Sequence, residues 1–213
     1  MKWRDRLDSE GFLICPGFDY EDLLDLAIEL GSPVAESSSG DLVRIISPGQ
    51  TANNSNSLSS RYGMAAFPFH TESAYWRVPP RYLMLHCISP GHGNRPTGYI
   101  DTAPRLSSLG AILESAQYRI RRSTGSFLVR CVERTETGIR VRADAECMLP
   151  MMKTRDPLNE FLLPGLDDTA TWHSWTSNDL LILDNWRMMH GRGSATNLDP
   201  DRKLARILVA NEH

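Results

Sequence analysis

The chain has 213 residues, long enough to bury a substantial core in a single domain over residues 1–213 without disulfide or metal staples. Its 23 Lys and Arg against 26 Asp and Glu leave a formal charge of −3, which supplies no general pull toward nucleic acid or an anionic membrane. Four scattered cysteines without a C-x-x-C pair read as reduced thiols of a cytoplasmic protein, and the expected partner is a small molecule. The opening Met1-Lys2-Trp3-Arg4-Asp5-Arg6 lacks the apolar stretch of an export signal, and no run approaches the ~20 apolar residues of a membrane span.

Gly11 to Cys15 reads as a short apolar strand, and Tyr20 to Leu30 as a helix that Gly31 and Pro33 stop. Leu42 to Ile46 is expected to be a strand between two Ser/Asn/Gly-rich loops at 35–41 and 47–60, the second long enough to be mobile or functional. A strand through His70 and an alternating strand from Arg81 to Cys87 follow, separated by Pro79-Pro80. Pro104 to Tyr118 carries a helical pattern, and 126–132 and 138–142 read as two strands of a hairpin. Seven arginines lie between Arg119 and Arg142, and without interleaved aromatic residues they read as a solvated hairpin face. Residues 147–168 have no sustained period and fit a lid better than a core element. Trp172 to Trp175 and Leu180 to Leu183 complete a strand-rich order with two helices, a β-rich barrel or sandwich with helical decoration.

Chemistry concentrates at three places. On an extended strand residues i and i+2 point to one side, so His70 and Glu72 can grip one ion together. His190, in Asp184-Asn185-Trp186-Arg187-Met188-Met189-His190-Gly191-Arg192, is the candidate third ligand. Two histidines and one carboxylate on one face leave the opposite positions open, which suits non-haem Fe(II) and the binding of a cosubstrate and O2. Arg202 and Arg206 follow His190 on a candidate final strand, where 202, 204 and 206 share a face, and inward arginines in an apolar barrel need an anion. Tyr75 and Trp76, just after the metal pair, are candidates for lining a substrate pocket.

These pieces resemble the Fe(II)/2-oxoglutarate dioxygenases of the taurine dioxygenase and clavaminate synthase superfamily. The resemblance rests on His70-Thr71-Glu72, the Thr97 region ending in Ile100-Asp101, the Asp184 to Arg192 signature and Arg202-x-x-x-Arg206, and spans residues 56–210. It implies a mainly β fold with flanking helices, a double-stranded β-helix or jelly roll. It further implies iron on His70, Glu72 and His190, and a 2-oxoglutarate carboxylate on Thr97. Arg202 would anchor the cosubstrate's distal carboxylate, with Arg206 on the cosubstrate or on the substrate's acidic group. The H-x-E form looks like the clavaminate synthase and asparagine oxygenase branch, which implies hydroxylation or another oxidation of an amino-acid-like substrate, with succinate and CO2 as coproducts. The alternatives are a nucleic-acid or protein demethylase using the arginine hairpin, and a catalytically silent jelly-roll binding protein.

Overall fold

The computed structural model describes residues 2–36, 39–47, 62–93, 95–152, 156–162, 166–195 and 199–211. The expected loop at 47–60 lies almost wholly outside them. The chain opens with a helix not anticipated from sequence, α1 (Trp3–Glu10), in which only Leu7 is buried, so its apolar stripe is too thin to read. Then come β1 (Phe12–Cys15), α2 (Leu23–Leu30), β2 (Ser32–Val34), β3 (Arg44–Ile46), β4 (Phe67–His70), β5 (Tyr82–Ser89), β6 (Thr97–Asp101) and α3 (Ala103–Ser115). A block of short strands follows: β7 (Gln117–Arg122), β8 (Gly125–Arg130), β9 (Val132–Thr135), β10 (Gly138–Val141) and β11 (Met148–Pro150). The chain then forms α4 (Pro157–Phe161), α5 (Leu166–Thr169), β12 (Thr171–His173), β13 (Leu180–Asp184), β14 (Met188–Arg192) and β15 (Lys203–Ala210). None of the helices among the described residues is long and apolar enough to cross a membrane.

Two antiparallel sheets make the frame of a double-stranded β-helix. The larger runs β1-β13-β5-β15-β2, with β3 also on β15, and the smaller runs β12-β6-β14-β4. β5 and β13 read as unbroken apolar runs because both faces are buried. Leu83, Leu85, Leu181 and Leu183 face the smaller sheet with Tyr99 and Met188, while Met84, Leu180 and Ile182 face α1 and α2 through Leu7, Leu23 and Ala27. Each such leucine contributes about 1.5–3 kcal/mol relative to exposure, so truncating Leu183 to alanine would open the space between the sheets.

Two expectations are corrected. The strand predicted over 126–132 is divided at Cys131: β8 pairs with β7, and β9 pairs with β10, because β7 supplies a nearer antiparallel partner. The helix expected from Pro104 to Tyr118 stops at Ser115, and Tyr118 belongs to β7, where it alternates with the buried Ile120. Within 147–168, expected to be a lid, Met148 pairs with Ile120 and Leu158 and Phe161 are fully buried in the core, while Leu149 to Met152 are exposed. The Tyr118 hydroxyl bonds Asp156 (2.8 Å) and accepts from Leu158 N (2.8 Å), tying α4 beneath the smaller sheet.

Candidate active site

β4 and β14 are antiparallel neighbours in the smaller sheet, and His70 lies directly opposite His190 with ring centroids 4.3 Å apart. Gly191 permits this approach, for a Cβ there would lie 2.9 Å from the Phe67 carbonyl oxygen. Nδ1 of His70 is 3.0 Å from the Pro68 carbonyl, which can only accept, so this nitrogen carries the proton and Nε2 is left with its lone pair free. Nε2 of His190 is 3.8 Å from Oε2 of Glu72. One ligand atom from each of His70, Glu72 and His190 lies within 4.8 Å of the others.

Glu72 reaches this point by a route that strand alternation does not supply. β4 ends at His70, and Thr71 turns away to bond Ala143 through both its N–H (2.8 Å) and its hydroxyl, which accepts from Ala143 N (3.0 Å). The Glu72 N–H then donates to Oδ1 of Asn185 (2.6 Å), and Nδ2 of Asn185 donates back to the Glu72 carbonyl (3.1 Å) and to Pro80 (2.9 Å). Oε1 of Glu72 accepts from Ser73 N (3.0 Å), while Oε2 accepts from Nη1 of Arg206 (2.8 Å). Burial works to raise the Glu72 carboxyl, but Arg206, His190, His70 and the Ser73 N–H outweigh it and hold it at about 2. Burial and the neighbouring His70 bring His190 down to about 3. At neutral pH the site therefore presents one carboxylate and a neutral His190, the charge state that metal ligation needs.

A cavity of about 200 Å³ opens on these groups. Its walls include His70, Glu72, Thr97, His190, Arg202 and Arg206, with Phe67, Leu85 and Leu204 as apolar surface. Thr97 is buried, and its hydroxyl accepts from the Trp175 indole N–H (3.0 Å). Arg202 is 3 % exposed and donates to the Arg95 carbonyl (3.3 Å), while its Nε has no partner among the described residues. Burial and Arg95 lower its guanidinium to about 10, and burial with Arg95 and Arg202 does the same to Arg192. Arg95 and Arg192 both donate to the carbonyls of Gly63 and Ala65. Arg206 is different, for it also pairs with Glu36, and the two carboxylates raise its guanidinium against the lowering effect of burial.

The model of the taurine catabolism dioxygenase TauD, TfdA family matches residues 1–102 and 156–208, most of the chain. The chain belongs to this family. The unmatched stretch between the two segments carries α3 and β7 to β11, the layer behind the smaller sheet. The fold of this family member is similar to that of an asparagine oxygenase solved with Fe(II), 3-hydroxyasparagine and succinate (20 % identity, TM-score 0.79, 99 % of this chain and 77 % of that one). It is similar as well to the non-haem iron oxygenase OrfP with Fe and alpha-ketoglutaric acid (21 %, TM-score 0.76, 98 % and 78 %). A taurine dioxygenase from Burkholderia xenovorans shares the fold at 17 % identity (TM-score 0.71, 98 % and 80 %). No curated protein sequence matches the chain.

Within this TauD, TfdA frame the structure brings His70, Glu72, His190, Thr97, Arg202 and Arg206 to one cavity. It places Tyr75 and Trp76 elsewhere: Trp76 packs against the inter-sheet core, and Tyr75 is half-exposed, close enough to Arg206 to act on its charge. The sequence leaves Asp184, Asn185 and Arg187 either to orient His190 or to cap the strand end. Asn185 instead holds Glu72, Asp184 caps its own turn through Trp186 N (3.0 Å) and meets Arg81, and Arg187 clasps Asp101. Of the arginines between 119 and 142, Arg134 pairs with Glu114, Arg140 with Glu133 and Arg142 is fully buried, while Arg121, Arg122 and Arg130 are exposed. Glu36 and Arg95 are not singled out by the sequence, and Arg192 stands in the signature without an assigned role. The two arginines flank motif residues and were within reach, but Glu36 sits in a serine-rich loop with no local signal.

Proposed function

We propose that this protein is an Fe(II)- and 2-oxoglutarate-dependent oxygenase that hydroxylates an aliphatic carbon of a small amino-acid-like molecule. One observation carries the reading: the convergence of His70, Glu72 and His190 at ligand spacing in a cavity whose other wall holds Arg202 without a carboxylate partner among the described residues. The donor set of two imidazoles and one carboxylate fits Fe(II), which with 2-oxoglutarate and O2 supplies the oxidising chemistry and yields succinate and CO2.

The chain's own residues do the positioning. His70, Glu72 and His190 would hold the ion at the wall of the cavity. Arg202, with Thr97 beside it, receives the distal carboxylate of the cosubstrate, since a buried guanidinium lacking an anion is stabilised by a bidentate one. Arg206 steadies Glu72 and lies on the substrate side, towards Glu36 and Tyr75. Leu85, Leu204 and Phe67 keep water away from the reacting carbon. The likeness to the asparagine oxygenase supports an amino-acid-like substrate. Four free cysteines support a reducing, cytoplasmic setting, and the engaged arginines of β9 and β10 support a small substrate over nucleic acid.

Fe(II)-dependent conversion of 2-oxoglutarate to succinate tests this. His70→Ala, Glu72→Ala and His190→Ala each abolish it while the metal-free protein stays folded by circular dichroism. Normal succinate formation in any one variant removes that residue from the ligand set, and none in the wild type, with any amino acid supplied, refutes the activity.

A further inference from the structure

Residues 71–77 carry a metal-site carboxylate without belonging to either sheet, so something other than a strand ladder must fix them. Asn185 gives Glu72 what a neighbouring strand gives: an acceptor for its N–H and a donor for its carbonyl, from a single buried amide. That amide is itself anchored, for Asn185 N donates to the Arg81 carbonyl (2.6 Å) and Nδ2 also reaches Pro80. Asn185 lies in the turn between β13 and β14, so one residue ties the Glu72 backbone to the strand that carries His190.

The rest of the segment is held from the other side. Ser73 adopts φ 53°, a left-handed conformation uncommon for a residue with a side chain. Beyond it, Nη1 of Arg142 donates to the carbonyls of Ala74 (2.5 Å) and Trp76 (2.5 Å), and Nη2 to that of Arg77 (2.9 Å). Arg142 is 1 % exposed and makes no ion pair among the described residues, so a full charge is buried to gather three carbonyls of one loop. Burying an unpaired cation is costly, and a hydrophobic residue would serve packing alone better.

We propose that Asn185 and Arg142 are positioning residues for the metal carboxylate: together they hold the backbone of 72–77 so that Glu72 meets His70 and His190. The proposal rests on the reading of those three as the iron site. Neither belongs to the ligand set; Asn185 acts through the Glu72 backbone, and Arg142 through the carbonyls of the loop that follows it.

The test measures anaerobic Fe(II) affinity of the metal-free full chain by calorimetry, with circular dichroism and thermal melting as a separate record of folding. Asn185→Leu and Arg142→Lys are each expected to weaken Fe(II) binding by about 10- to 100-fold while the metal-free protein still melts cooperatively. In a Glu72→Ala background Asn185→Leu is expected to add no further loss, because the group it positions is gone. Wild-type Fe(II) affinity in both variants overturns the proposal while leaving the metal site intact, provided Glu72→Ala itself loses affinity. Wild-type affinity in Glu72→Ala overturns the metal-site reading and this proposal with it. If both single variants, and the milder Asn185→Ser, are unfolded without metal, these residues hold the fold rather than the ligand, and the proposal fails.

Discussion

Arg202, just before β15, and Arg206, within it, enter one cavity four residues apart, yet the protein has treated them in opposite ways. Arg206 is neutralised from within, by Glu72 at 2.8 Å and by Glu36. Among the described residues Arg202 hydrogen-bonds only a neutral carbonyl, with the Asp199 carboxylate acting on it without an ion-pair contact, and the arginines 95 and 192 crowd it with like charge. A buried cation with two internal carboxylates is part of the framework, whereas one without any is a receptor for an anion from outside. Equal spacing assigned the two side chains to one face; only their partners separate their roles.

The largest break in this comparison comes from Arg206→Met. It strands Glu72 as a buried carboxylate without its guanidinium, while Glu36 keeps Arg44, and removing one partner of a buried pair costs about 3–5 kcal/mol. Urea unfolding of the metal-free protein at neutral pH measures it. Glu36→Gln leaves Glu72 paired and is expected to cost much less. A loss below about 1 kcal/mol for Arg206→Met would mean that water, not Arg206, compensates Glu72.

Arg202 sharpens the comparison by failing to behave that way. Arg202→Met removes one of three clustered like charges and a single carbonyl bond, so stability should change by no more than about 1 kcal/mol. Binding is where it matters: Arg202→Lys, a point charge in place of a planar fork, should raise KM for 2-oxoglutarate by roughly 10- to 100-fold, about 1.5–3 kcal/mol. Titration of both variants with 2-oxoglutarate decides it. If Arg202→Lys binds normally and Arg206→Lys does not, the two roles are exchanged.

What the sequence disclosed follows the same division. The apolar stretches of β5 and β13 are local patterns, and they point to a β-rich sandwich because each strand's burial is written in its own residues. The H-x-E pair and His190 are conspicuous by residue type, as are two arginines on one strand face. Partnerships are not local. Asn185 bonds Glu72 across 113 positions, and Glu36 reaches Arg206 from the loop after β2, so no window of sequence contains either pair. The reading of Glu72 as an alternate-face strand residue reached the right neighbourhood by the wrong geometry, since the strand stops at His70 and a side-chain amide takes over. Helix α1 was invisible for a related reason, its single buried leucine making no periodic stripe.

An arginine–carboxylate pair outside the cavity sets the lower end of the scale. Arg187 clasps Asp101 through Nε (3.1 Å) and Nη2 (2.7 Å), and Asp101 also accepts from Ala103 N at the start of α3 (2.9 Å). Both side chains keep nearly a third of their surface in water, so screening limits the pair to about 1 kcal/mol or less even with bidentate geometry. Burial works to raise the Asp101 carboxyl, but the Arg187 hydrogen bonds and the Ala103 N–H outweigh it and hold it below its ordinary 3.8. A carboxyl that is more acidic in the folded chain than in the unfolded one adds stability above the unfolded value and forfeits it as pH falls through the folded value. Asp101→Asn should therefore lower stability slightly at neutral pH, and the gap to the wild type should close below pH 3.8. Denaturant melts of the two proteins across that range measure the gap. A gap that persists in acid would assign the Asp101 contribution to capping of α3 by a neutral hydrogen bond rather than to charge, and a gap as large as that of Arg206→Met would erase the distinction between an exposed pair and a buried one.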